Sequence, residues 1–130
     1  MGILSSLFGS ASKSNNESIA KKYEFLFSPG EVIEASFRLV RDLLVFTNYR
    51  FIFIDIKGVT GKRVEYTSVP YRSIATFSVE SSGIFSLDAE LSIWVNGCPN
   101  PIHKKFNRDS NVYQVQAILA TAVANLDNLR

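Results

Sequence analysis

From Val32 to about residue 107, apolar positions recur at every second residue or run together in short blocks, a pattern that predicts strands. The densest block is "LLVFTNYRFIFIDIKGVTGKRVEY", Leu43 to Tyr66. Leu43 to Thr47 predicts one strand. Asn48-Tyr49 then predicts a two-residue turn in which Asn tolerates positive φ. In "RFIFID", Phe51 and Phe53 lie on one face and Ile52 and Ile54 on the other. A strand apolar on both faces needs cover on both sides, so one face packs in the core and the other meets a helix or another subunit. "KGVTGK" makes the next reversal, with Gly58 and Gly61 supplying backbone freedom.

Upstream, Val32 to Val40 predicts a strand, and Arg41-Asp42 is either a tight reversal or a bend within one long ribbon. Downstream, "RVEYTSV" alternates and Pro70 should break its ladder. "SIATFSVES" alternates again. "SLDAELSIWV" places Leu87, Ala89, Leu91, Ile93 and Val95 on one face and Trp94 on the other, and "IHKKF" makes a short last strand.

Helical spacing flanks this β region. Ile19, Tyr23 and Leu26 form a stripe in a helix over 17–27, with Asn16 as its cap and Pro29-Gly30 as its stop. Val112, Val115, Leu119, Ala122 and Leu126 form the stripe of a helix over 111–128, capped by Asn111 or Asp109. Residues 1–16 divide into an apolar segment and the polar linker "SASKSNN". Ile3, Leu4, Leu7 and Phe8 share one helical face. So short a helix is marginal alone in water. It therefore docks on the domain, on a neighbouring subunit or on a membrane. The remainder, 17–130, reads as a single domain of helix, about seven antiparallel strands and helix. Curling the strands into a partly closed barrel, with a helix over its open end, hides the sheet edges. The predicted class is mainly β with terminal helices, a pleckstrin-homology-like barrel of about seven strands capped by a C-terminal helix.

Composition narrows the chemistry. The net charge is only +2, from 14 basic and 12 acidic residues mixed along the chain. No basic face or tail marks a nucleic-acid binder. The single cysteine, Cys98, leaves no internal disulfide and is compatible with a reducing cytoplasm. No apolar run reaches the roughly 18 residues of a spanning helix, and the start is a poor signal peptide.

Catalytic motifs are thin. His103 is the only histidine, and metal or nucleophilic chemistry needs a set of groups. Asp88 and Glu90 share a strand face and read as salt-bridge partners of Arg72 or Arg50 rather than an acid–base pair. "KGVTGK" lacks the spacing of a Walker A loop, and Arg63 stands where Ser or Thr belongs. No catalytic residue, metal site or cofactor is expected.

The stretch "RDLLVFTNYRFIFIDIKGVTGKRVEYTSVPYRSIATFSVE", continued by "LDAELSIWVNG" and "PIHKKF", resembles the bacterial PH-domain family of small uncharacterised proteins. The likeness covers nearly the whole chain. The family pattern carries Asp where this chain has Ser86. The resemblance implies a barrel without enzymatic activity and homo-oligomers, as closed rings in which subunits bury β edges against one another. Trp94, Ile52 and Ile54 are then candidate oligomer contacts. Lys57, Lys62 and Arg63 are candidate contacts with an anionic surface or partner, or charges that keep a hydrophobic hairpin soluble. Ile3, Leu4, Leu7 and Phe8 are candidate membrane contacts. A specific phosphoinositide is not expected, because the Arg41-Asp42 turn is too short to wrap a phosphate. The expected location is cytoplasmic or peripheral to the inner face of a membrane, with a protein or membrane-surface partner.

Overall fold

The computed structural model describes residues 10–39, 41–81, 88–106 and 112–124. The chain divides into two compact units, Met1–Ser68 and Val69–Arg130. The first carries helix α1 (Ser10–Lys22), a 3-10 turn (Glu24–Leu26) and strands β1 (Ile33–Arg38), β2 (Leu43–Thr47), β3 (Arg50–Lys57) and β4 (Arg63–Pro70), the last running into the second unit. These strands form one sheet in the order β1-β2-β3-β4. Strands β5 (Ile74–Ser81), β6 (Ala89–Val95) and β7 (Ile102–Phe106) form a separate sheet in the order β5-β6-β7, followed by helix α2 (Val112–Ala124). The architecture is mainly β with two antiparallel sheets. The expected barrel is therefore not a closed one.

Arg41-Asp42 is a reversal and not a bend. Arg38 stands opposite Leu43, and the Leu39 amide donates to the Asp42 carbonyl at 2.8 Å. In β1, Ile33 pairs with Thr47 and Ala35 with Phe46, so Glu34 is the extra residue of a bulge. β2 and β3 are buried on both faces, as the doubly apolar sequence requires. On one face Phe46 stacks on Phe51 at 4.1 Å between ring centroids, and Phe51 lies 4.5 Å from Phe53. On the other, Leu43, Val45, Ile52 and Ile54 pack with Ile19 and Tyr23.

Three expectations about this unit need correction. The helix predicted over 17–27 instead begins at Ser10 and ends at Lys22, so "SASKSNN" is helix rather than linker. Ser and Asn are weak helix formers, but packing outweighs such small propensities. Asn16 is thus no cap. It lies within α1, and its Oδ1 accepts a 2.7 Å hydrogen bond from Ser36 on β1. Among the described residues positive φ occurs only at glycines, so Asn48 does not turn the chain that way. The Thr47 hydroxyl does so instead, accepting from the amides of Tyr49 and Arg50 at 3.0 Å each.

In the second unit, β4 gives way at Pro70 to a 3-10 turn, Tyr71–Ser73. Ala89, Leu91 and Ile93 are buried on one face of β6, and α2 packs against β5 and β6 through a face containing Val112, Val115, Ile118, Leu119 and Ala122. Ser86, Leu87, Asp109, Asn111 and Leu126 lie outside the described residues.

Candidate functional site

Among the described residues, one heavily bonded polar cluster joins residues far apart in sequence. Arg50 opens β3, and its guanidinium grips Glu31 twice, Nε to Oε2 and Nη2 to Oε1, each at 2.9 Å. Arg50 Nη2 also donates to the Leu26 carbonyl and Nη1 to Ser68 Oγ, both at 2.7 Å. Thr47 donates to Glu31 Oε2 at 2.6 Å, and the Ser28 amide to Oε1 at 3.0 Å. The Glu31 side chain is fully buried, at 0% exposure. Burial pushes its pKa up. The hydrogen bonds from Arg50, Ser28 and Thr47 and the charge of Arg50 outweigh this and hold it below the ordinary 4.5. Paired and satisfied, these charges brace the unit. Arg50 is thereby committed within its own unit. The pair is 19 residues apart and no spacing rule exposes it. The one available signal was a lone arginine opening an otherwise apolar strand.

The β3–β4 hairpin tip gathers the expected cations. Lys57 pairs with Glu65 at 2.8 Å, while Lys62 and Arg63 are exposed. Gly58 and Gly61 have φ of 85° and 69° and build the turn. Arg41 reaches across from the β1–β2 reversal and donates to the Gly58 carbonyl at 2.6 Å. Between the glycines, Val59 is wholly exposed at 104%.

Ile52 and Ile54 are not at a surface. Both are 0% exposed beneath α1, so the chain supplies its own helix as their cover and neither is an oligomer contact. Apolar exposure appears instead beside β4. Phe25, 68% exposed, meets Tyr66 edge-on at 5.7 Å, and Tyr66 meets Tyr23 at 6.3 Å. Val64 is also exposed and shares the Tyr66 face of the strand. The Lys22 ammonium lies 5.5 Å from the Tyr23 ring centre.

In the second unit Trp94 is 37% exposed on the face of β6 opposite Leu91 and Ile93, with Thr76 as its β5 partner. Ser92 and His103 are cross-strand neighbours, and Oγ and Nδ1 are 2.7 Å apart. This is a two-group polar pair, whereas nucleophilic catalysis also needs an orienting group and oxyanion donors. Glu90 stands opposite Lys105. Cys98 is free and exposed in the β6–β7 turn. Among the described residues no group of three His, Cys, Asp or Glu is placed to hold a metal ion, and no helix is long and apolar enough to cross a membrane. Ile3, Leu4, Leu7 and Phe8 lie outside the described residues.

Two antiparallel sheets of four and three strands followed by a helix define the pleckstrin-homology-like class. A pleckstrin homology domain from Shewanella amazonensis SB2B superposes with a TM-score of 0.80 at 38% identity, covering 92% of this chain and 97% of that one. A DUF1696 family protein with a pleckstrin-homology domain from Shewanella loihica PV-4 gives 0.74 at 38% identity, over 84% and 93%. An uncharacterized protein of Bacillus subtilis (strain 168), YjqA, is 44% identical over 121 residues, 92% of this chain and 97% of its own length. A second from the same organism, YozO, is 35% identical over 100 residues, 77% and 85%. The family model "Bacterial PH domain" matches residues 2–123, and the chain belongs to that family.

Proposed function

We propose that the protein is a non-catalytic PH-like module that assembles with copies of itself, as a closed ring, and serves as a scaffold or binding module. The observation that favours this most is Trp94, a large aromatic on the face of β6 opposite the buried core residues. In the sheet order, β5 and β7 each have an outer edge without a strand partner in that sheet among the described residues. Aromatic anchors of this kind dominate protein interfaces, and an unpaired edge is a template for a neighbouring strand. Ring closure requires a heterologous contact, in which two different patches meet. The test is absolute mass by light scattering on size-exclusion chromatography over a dilution series. A discrete, dilution-stable multimer that loses mass in Trp94→Ala supports the reading. A monomer at micromolar concentration ends it.

A second reading is peripheral contact with an anionic membrane. Val59 at the hairpin tip favours it, standing bare between Lys57 and the exposed Lys62 and Arg63. Basic residues near an anionic bilayer contribute about 1 kcal/mol each, and an assembly would multiply weak contacts. The protein would then lie on the inner face of the cell membrane. Flotation with phosphatidylglycerol vesicles decides it, comparing the full chain, a chain lacking residues 1–9, and Val59→Asp. Absence of flotation by the full chain removes the idea. Loss on truncation assigns contact to Ile3, Leu4, Leu7 and Phe8, and loss in Val59→Asp assigns it to the tip.

A further inference from the structure

The aromatic cluster beside β4 belongs to the first unit, and Trp94 to the second. β4 is the last strand in the order β1-β2-β3-β4, so its outer edge has no strand partner within that sheet among the described residues. It runs for eight residues, Arg63–Pro70, and an unpaired strand edge is a template for a further strand. Its two faces differ in chemistry. Val64 and Tyr66 share one face, where Tyr66 meets Phe25, the most exposed aromatic ring of this unit among the described residues. Ser68 continues that face and is held by Arg50. Arg63 and Glu65 alternate onto the other face, where Lys57 already neutralises Glu65. Arg63 is exposed, so the charge left on that face is positive.

We propose that β4 receives an extended peptide segment of another protein as an added strand, one in which apolar and acidic residues alternate. Main-chain hydrogen bonds along the edge supply binding, and alternate side chains supply selectivity. The apolar side chains of such a segment lie over Val64, Tyr66 and Phe25. Its carboxylates, one residue out of phase, lie beside Arg63. The period of two in the strand and the opposite chemistry of its faces thus specify the alternation of the ligand. Neither aromatic is needed to fill the core cluster of this unit, which is built from Ile19, Tyr23, Leu43, Val45, Ile52 and Ile54.

The probe is an acetylated, amidated heptapeptide, Asp-Val-Glu-Phe-Glu-Val-Asp, titrated into the isotopically labelled full chain and followed by amide resonances. The expected result is a saturable shift of the amides of residues 63–68. Binding should weaken at least roughly tenfold when the acidic residues of the peptide are replaced by Lys, in Arg63→Glu, and in Phe25→Ala, a hot-spot-sized loss. N-methylation of alternate peptide amides should abolish binding, which a merely apolar contact would not require. Phe25 and Arg63 are exposed, so these variants fold, and their multimeric mass should equal that of the parent. That separates the outcome from the fate of the Trp94 reading. No shift at about 1 mM peptide, shifts confined to other residues, or equal binding of the Lys peptide overturns the proposal. So does a concentration-dependent shift of the same amides without peptide, which would identify the occupant as a second copy of the chain.

Discussion

At the scale of single residues, two tight sites carry sharp expectations. Gly30 has φ +83°, a region that costs an L-residue about 1–2 kcal/mol. An added Cβ would also stand 2.8 Å from the Tyr49 hydroxyl, which donates to the Pro29 carbonyl at 3.3 Å. Gly58 has φ +85° and open space around its would-be Cβ. Gly30→Ala should therefore destabilise more than Gly58→Ala in denaturant titrations, and Tyr49→Phe should shrink the gap by removing the colliding oxygen. Equal costs in both backgrounds would show that Tyr49 swings aside freely. The second site is Arg50. Arg50→Ala strands the Glu31 carboxylate in a buried position with its chief partner gone, a loss of roughly 3 kcal/mol. Adding Glu31→Gln to Arg50→Ala should recover part of that, because the unpaired charge is then absent. No recovery would mean that Arg50 acts through its bonds to Leu26 and Ser68 alone.

At the scale of elements, legibility tracks how local the cause is. β2, β3, β5 and β7 could be read from alternation or apolar runs, and Pro70 from its missing amide, because strand pattern and turn chemistry are written in adjacent residues. Of the apolar stripe Ile19, Tyr23 and Leu26, only Ile19 lies within α1. Its first half is Ser- and Asn-rich, and what holds it is a distant strand, through contacts such as Asn16 with Ser36. The same distance hid the Glu31–Arg50 cluster and made Ile52 and Ile54 look available when α1 covers them. The candidate surface was legible at Trp94 and the hairpin cations. The Phe25–Tyr66 contact was not, because it joins two elements 41 residues apart by number. α1 as a lid makes a prediction. Ile19→Ala should cost roughly 2–4 kcal/mol, since it opens a cavity over Ile52 and Ile54. Asn16→Ala should cost about 1 kcal/mol for its hydrogen bond. Phe25→Ala, on the exposed side, should change stability by no more than about 0.5 kcal/mol. Thermal or denaturant melts of the three variants check the ranking, and a neutral Ile19→Ala would remove α1 as the cover of β3.

At the scale of the whole molecule, two carboxylates set opposing responses to acid. Glu31 is held below 4.5 when folded. The folded state therefore resists its protonation, and the stability it contributes is fully present above about pH 4.5 and lost as the pH falls through its lowered value. Glu34, the extra residue of the β1 bulge, is buried, and burial raises its pKa above 4.5. Its sign is reversed. The folded state binds its proton more readily than the unfolded chain does, so its charged form costs stability above the raised value, and the cost is relieved as the pH falls through it. Starting from neutrality, acid should first relieve Glu34 and only below pH 4.5 withdraw the support of Glu31. The wild-type stability curve should thus rise slightly or stay level before it drops. Glu34→Gln should raise stability at pH 7 and remove the early rise. Glu31→Gln should lower stability at pH 7 and flatten the acid limb, because the group that responds there is gone. Denaturant midpoints measured from pH 7 to pH 3 for the parent and both variants resolve the two contributions. A Glu34→Gln variant less stable than the parent at pH 7 would mean that the carboxylate has a stabilising partner when charged. An unchanged acid limb in Glu31→Gln would place the source of acid sensitivity outside the Arg50 cluster.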